Sequence, residues 1–174
     1  MVRNIVLAGM MGTGKTAVGV YLAGLLKVPF YDVDTLIEQE AGMSTPEIFE
    51  KKGEAHFRAL ERQVVTRVSE REGCVIATGG GTIVDPENLR LLKTTGDVIC
   101  LTATPERILE RVEGMEHRPL LKHRDKLHRI QELMALRASS YAQAGEAIDT
   151  TDLTIDEVAA KVLERVGLRE ALKG

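Results

Sequence analysis

The stretch Ile5-Val-Leu-Ala-Gly9-Met-Met-Gly12-Thr13-Gly14-Lys15-Thr16 runs a short apolar segment straight into a glycine-rich loop. Its last eight residues fit G-x-x-x-x-G-K-[ST]. The apolar run before them reads as a buried strand, and the segment from about Lys15 to Leu26 reads as a helix, which is the setting this motif requires. The glycines let backbone N–H groups turn inward around phosphate oxygens. The helix N-terminus adds its partial positive charge. Lys15 would reach the β- and γ-phosphates, and the Thr16 hydroxyl would ligate Mg2+. Composition alone would produce such a match in about one chain in a hundred. The loop therefore marks a nucleotide-binding domain.

Outward from this loop, short apolar runs alternate with helical patterns. Pro29-Phe30-Tyr31-Asp32, Val75-Ile-Ala-Thr78, Val98-Ile-Cys-Leu-Thr102 and Ala147-Ile-Asp149 read as further strands. Their apolar residues are continuous rather than alternating, which implies burial on both faces and a mostly parallel sheet. Strand and helix in turn imply α/β layering. Ser44 to Glu47 and Thr154 to Glu157 have capping-box spacing. Asp85-Pro86 and Thr104-Pro105 each offer an N-cap followed by proline. Val158, Val162 and Val166 form a stripe that should lie on the sheet.

Bulk properties narrow the function. A chain of 174 residues suits one domain, here taken as 1–174. Its net charge of −3 and scarcity of aromatics do not suggest a nucleic-acid or anionic-membrane partner. No apolar stretch approaches the roughly 18 residues of a membrane span. No signal-peptide pattern is seen, so a cytoplasmic protein is expected. Cys74 and Cys100 sit in apolar runs and read as reduced core residues. His56, His117, His123 and His128 show no metal-ligand spacing. No Asn-Lys-x-Asp sequence marks a guanine-specific switch protein, and motor or transport ATPases are usually larger. A small-molecule kinase is the better reading.

Four further features bear on chemistry. Asp32-Val33-Asp34 is read as closing the second strand, with both carboxylates on one face at the ligand crevice. One would hold Mg2+ through water and the other would orient or deprotonate a hydroxyl. Alternatively, Asp34 caps a helix over 35–41. Arg58 and Glu61 are i, i+3 neighbours, which taken alone reads as a solvated surface pair. The segment Arg107 to Arg137 holds eight Lys or Arg against five acids, a local +3. It contains a long polar loop, Glu113 to Lys126, interrupted by Gly114 and Pro119, which reads as a lid carrying Arg118. Finally, Gly79-Gly80-Gly81 follows a strand. A plain turn needs one glycine, whereas three let bare backbone approach a ligand and offer it N–H donors.

Taken in order, the P-loop, Asp-x-Asp, Phe57-Arg58-x-x-Glu61, the triple glycine, Arg118-Pro-Leu-Leu121 and Arg137-x-x-x-Tyr141 resemble the shikimate kinase family over essentially the whole chain. The resemblance implies a three-layer α/β P-loop kinase fold: a five-stranded parallel sheet flanked by helices, a mobile lid near 113–125 and a substrate-binding helical region near 34–61. It implies transfer of the γ-phosphoryl group of ATP to the 3-hydroxyl of shikimate, giving shikimate 3-phosphate and ADP on the way to chorismate and the aromatic amino acids. Gly12, Thr13, Gly14, Lys15, Thr16 and Ala17 would contact the nucleotide. Thr16 and Asp32 would hold Mg2+, and Asp34 would bind the hydroxyl and act as base. Arg58 and Arg137 would grip the carboxylate over Gly79, Gly80 and Gly81. Arg118 would close over the phosphates as a catalytic residue beside Lys15 and Asp34. Arg111 would stack on adenine opposite the loop 149–154.

A planar carboxylate suits bidentate arginine, and a lid that excludes water strengthens the charge interactions inside. The lid sequence before Arg118, Glu113 to His117, is acidic, which departs from this scheme in detail. The rivals are a gluconate-type or nucleotide kinase of the same build and a non-catalytic ATP-binding module. Lys15, Thr16, Asp34 and Arg118 together argue against the last. A monomer is expected, since no apolar surface helix is left over.

Overall fold

The computed structural model describes residues 2–113 and 125–173. All five expected strands form: β1 (Asn4–Gly9), β2 (Phe30–Asp32), β3 (Val75–Ala77), β4 (Gly96–Thr102) and β5 (Ala147–Asp149). They make one sheet in the order β2-β3-β1-β4-β5, and every pairing is parallel. The helices are α1 (Lys15–Leu26), α2 (Val33–Ala41), α3 (Thr45–Lys52), α4 (Glu54–Ser69), α5 (Pro86–Thr95), α6 (Pro105–Val112), α7 (Lys126–Ala144) and α8 (Ile155–Arg165).

Successive residues of the central strands feed opposite layers, as the pleat requires. Val6 and Ala8 of β1, Ile76 of β3 and Val98 and Cys100 of β4 pack with Ile37, Ile48, Val64 and Leu92 from α2 to α5. Ile5 and Leu7, Val75, and Ile99 and Leu101 pack with Val18 and Leu22 of α1 and Val158 and Val162 of α8. Burying a valine of that stripe contributes about 1.5 kcal/mol or more. A third cluster joins Met10 and Met11 of the P-loop to Ile108 and Val112 of α6 and Ile130 and Leu133 of α7. The phosphate loop is thus pinned by its two apolar residues to the helices that flank the expected lid.

The helix starts follow the local chemistry. Ser44 and Thr154 make complete capping boxes with Glu47 and Glu157, and Asp85 and Thr104 cap α5 and α6 ahead of their prolines. Gly9 ends β1 with φ 132, and a Cβ there would stand 2.1 Å from the Leu101 carbonyl oxygen. Only glycine lets β1 turn into the loop this close to β4.

One expectation is corrected. Asp32 and Asp34 do not share a strand face, because β2 ends at Asp32 and α2 begins at Val33, two residues before the expected start. Asp32, in extended conformation, is the N-cap, its Oδ1 accepting from the Thr35 N–H at 3.1 Å. A short carboxylate satisfies an orphan donor of the first turn, so the helix starts there. Asp34 lies in that first turn. Among the described residues no helix is long and apolar enough to cross a membrane.

Candidate active site

The C-terminal ends of β1, β2 and β3 lie side by side, so the loops that follow them meet at one edge of the sheet, where open α/β folds bind ligands. The loop after β1 turns through Gly12 (φ 71) and Gly14 (φ 97), both left-handed, and Gly14 opens α1. Thr13 ties the loop to itself, its hydroxyl donating to the Met10 carbonyl at 2.7 Å. Lys15 is buried, with Nζ donating to the carbonyls of Gly9 (2.7 Å) and Met10 (2.8 Å). The Thr16 hydroxyl donates to Asp32 Oδ2 at 2.8 Å. Thr16, in the first turn of α1, and Asp32, at the end of β2, therefore present oxygen ligands at one point. Among the described residues no group of three His, Cys, Asp or Glu could hold a metal by itself. Two hard oxygen ligands needing waters and phosphate oxygens to complete them fit Mg2+, which keeps its waters and rarely takes an all-protein cage.

The triple glycine after β3 is the floor of a second region. None of the three glycines is left-handed. Their smallness matters because of what stands over them. A Cβ on Gly79 would lie 2.6 Å from Asp34 Oδ1, and one on Gly80 would lie 3.1 Å from Arg137 Nη1. One on Gly81 would lie 2.7 Å from Arg58 Nη2 and 2.9 Å from Nη1. The carboxylate from α2 and the guanidiniums from α4 and α7 are thus laid in turn on three consecutive residues.

Each guanidinium is held differently. Arg58 Nη1 donates to Glu61 Oε1 at 2.8 Å, and Glu54 stands at 3.5 Å. Burial alone would lower the Arg58 pKa, but the Glu61 and Glu54 carboxylates outweigh it and raise it. Glu61 is 1% exposed, so the pair is not the solvated surface pair that its spacing suggested. The i, i+3 spacing is right, but α4 turns this face under the glycine loop. Arg137 is 7% exposed. Its Nη1 lies 3.6 Å from the Met10 sulfur, and the Tyr141 hydroxyl donates to the Gly80 carbonyl at 2.7 Å. Burial pushes the Tyr141 pKa up, with Arg137 opposing, so its donor proton is kept. Among the described residues Arg137 makes no ion pair. A guanidinium is always charged, and a buried charge calls for a counter-charge. Two guanidiniums and a carboxylate thus stand together next to the phosphate loop, and an anionic group is the chemistry the guanidiniums can hold.

The family described as Shikimate kinase matches residues 11–167. The chain belongs to the shikimate kinase family. It is 47% identical to a shikimate kinase of Caldanaerobacter subterraneus, over 92% of this chain and 94% of that one. Identity to a shikimate kinase of Geobacter metallireducens is 46%, covering 92% and 90%. Among solved structures, shikimate kinase from Acinetobacter baumannii in complex with shikimate superposes with a TM-score of 0.91 at 36% identity, covering 95% of this chain and 93% of that one. The parallel five-stranded fold expected from the sequence is the fold of these enzymes.

The remaining expected residues sort clearly. Arg111 on α6 donates from Nη1 to the Gly12 carbonyl (3.1 Å) and to Thr150 Oγ1 (3.0 Å), and from Nη2 to the Thr150 carbonyl (2.7 Å). It thereby joins the P-loop to the loop after β5. Those bonds use the N–H donors that lie in the guanidinium plane. Burial, then the neighbouring Arg107, lowers its pKa. Arg118, and with it most of the expected lid, lies outside the described residues. Cys74 and Cys100 are free and buried, as read. Two contributors were not singled out from the sequence. Met10 reads as a variable position of the phosphate loop, and Thr82 as a plain residue after the glycines. No local signal marks either, since both matter through contacts far along the chain.

Proposed function

We propose that this chain transfers the γ-phosphoryl group of ATP to the 3-hydroxyl of shikimate, giving ADP and shikimate 3-phosphate, a step towards chorismate and the aromatic amino acids. One observation carries the residue assignment: Asp34, Arg137 and Arg58 stand over Gly79, Gly80 and Gly81 beside the phosphate loop. A ligand carboxylate placed between Arg58 and Arg137 would meet two guanidiniums, with a hydroxyl two ring carbons away turned towards Asp34.

In this reading Asp34 accepts the hydroxyl proton as the oxygen attacks the γ-phosphorus, and the bond from that phosphorus to the departing ADP oxygen breaks. Lys15, the N–H groups of residues 12–17 and the N-terminus of α1 stabilise the charge on the phosphates. Arg118 adds to this from the lid. Thr16 and Asp32 would hold Mg2+, which would supply charge neutralisation on the phosphates when bound. The adenine lies between Arg111 and the loop 149–154. Residues 1–174 act as one cytoplasmic, monomeric domain, with 34–61 as the acceptor-binding region.

A coupled assay of ADP release with shikimate, gluconate and CMP as acceptors tests the reading. Shikimate alone is expected to stimulate release strongly. Equal or greater stimulation by gluconate would move the assignment to the gluconate-type alternative, and none by any acceptor would leave only a nucleotide-binding module.

A further inference from the structure

The structure assigns Thr82 a positioning role: its hydroxyl fixes Glu61 and, through it, the acceptor-binding face of Arg58. The inference rests on the reading that Arg58 binds the acceptor carboxylate. Glu61 is a buried carboxylate on α4, and both of its oxygens are used. Oε1 accepts from Arg58 at 2.8 Å, and Oε2 accepts from the Thr82 hydroxyl at 2.7 Å. Thr82 is itself fully buried. Its carbonyl accepts from the side-chain amide of Asn88 on α5 at 3.0 Å, and its N–H donates to the Gly79 carbonyl at 3.2 Å. One residue thus closes the turn over the triple glycine and ties that turn to α4 and α5.

The geometry divides the arginine's donors. Arg58 Nη1 and Nη2 both lie within 3 Å of where a Gly81 Cβ would be, so the guanidinium rests on the floor of the site. Glu61 engages Nη1 through one oxygen only, because its other oxygen is committed to Thr82. Without the hydroxyl, Oε2 would be buried with no donor, a state that is costly for a charged group. The cheapest repair is for Glu61 to take both its bonds from Arg58, since a fork-to-fork pair satisfies both oxygens. That turns the guanidinium away from Gly81 and removes donors from the ligand carboxylate. Thr82 therefore acts on the acceptor side alone: among the described residues none of its hydrogen bonds reaches the phosphate loop.

The experiment uses steady-state kinetics on Thr82→Val, Thr82→Ser, Arg58→Ala and the Arg58→Ala/Thr82→Val double variant. Valine keeps the volume and deletes the hydroxyl. It is expected to raise KM for shikimate roughly 5- to 50-fold, the range for losing one partner of a buried charged group, with KM for ATP within about twofold. Thr82→Ser restores the shikimate KM to within about threefold of the parent. In the double variant the valine adds little beyond Arg58→Ala, because both remove the same interaction. An unchanged shikimate KM in Thr82→Val, full additivity in the double variant or no recovery in Thr82→Ser would each overturn the role. If Arg58→Ala itself left the shikimate KM unchanged, the carboxylate reading of Arg58 would fall first, and this inference with it. Should the valine variant not fold, Thr82→Ala is measured in the same way, with the same outcomes deciding.

Discussion

None of Gly79, Gly80 and Gly81 has a positive φ, yet a side chain on any of them would enter the space of a charged group. The triple glycine is a constraint of volume rather than of backbone conformation. This makes Gly81→Ala informative. Its methyl would sit 2.7 Å from Arg58 Nη2, the far end of a flexible chain, so the fold can absorb it while the guanidinium lifts from the floor. KM for shikimate should rise about tenfold or more, the order of one displaced charged hydrogen bond, with a melting temperature near that of the parent. A kinetic titration of shikimate at saturating ATP checks it, and an unchanged KM would show that Arg58 does not need the bare backbone beneath it. The run of three glycines was visible in the sequence. That each glycine serves a different charged side chain was not, because Asp34, Arg58 and Arg137 come from helices far apart in the chain.

Helix α1 carries two interior glycines with opposite consequences. Gly19 faces the sheet, and a Cβ there would stand 2.4 Å from the Phe30 ring, so the helix can lie on β2 only with hydrogen at this position. Gly24 is exposed, and among the described residues a Cβ there would meet nothing within 4 Å outside its own helix backbone. Gly24→Ala should stabilise the protein by about 0.5–1 kcal/mol, the helix-propensity difference. Gly19→Ala should destabilise it by about 1–3 kcal/mol, as overpacking does. Urea unfolding of the two variants checks the pair, and equal midpoints would contradict the packing of α1 on β2. Element boundaries follow the same division. The capping boxes at Ser44 and Thr154 were legible because both partners lie within four residues. The start of α2 was displaced because two nearby aspartates can each cap, and the path of β2 into the sheet decides which is extended.

For the molecule as a whole, the central strands are buried on both faces, and each layer of the core holds strand residues from β1, β3 and β4. Both cysteines lie in one of these layers. Burial pushes Cys74 and Cys100 from 9.0 up to about 11. Between those values the folded chain holds protons that the unfolded chain has released. Stability is therefore intact below about pH 9 and falls as pH rises towards 11. A two-unit rise corresponds to a loss of at most about 3 kcal/mol per thiol. Buried Tyr141, also raised, adds a loss of the same sign in stronger alkali. Urea midpoints at pH 8 and 10.5 should separate more for the parent than for a Cys74→Ala/Cys100→Ala variant. Equal separation would show that the thiols do not govern the alkaline limit.

The amino-acid sequence by itself determined the phosphate loop, the five strands, most helix starts and the enzyme class. Those depend on short-range facts: glycines where the backbone must turn, apolar runs long enough for one strand, and a cap within a turn of its helix. Tertiary structure alone decided that Glu61 is buried, that Asp32 both caps α2 and meets Thr16, and that Thr82 and Met10 stand behind the two arginines. Burial and contact depend on which distant segments the sheet brings together, and i, i+3 spacing reads the same on a solvated helix face as on one pressed against a glycine floor.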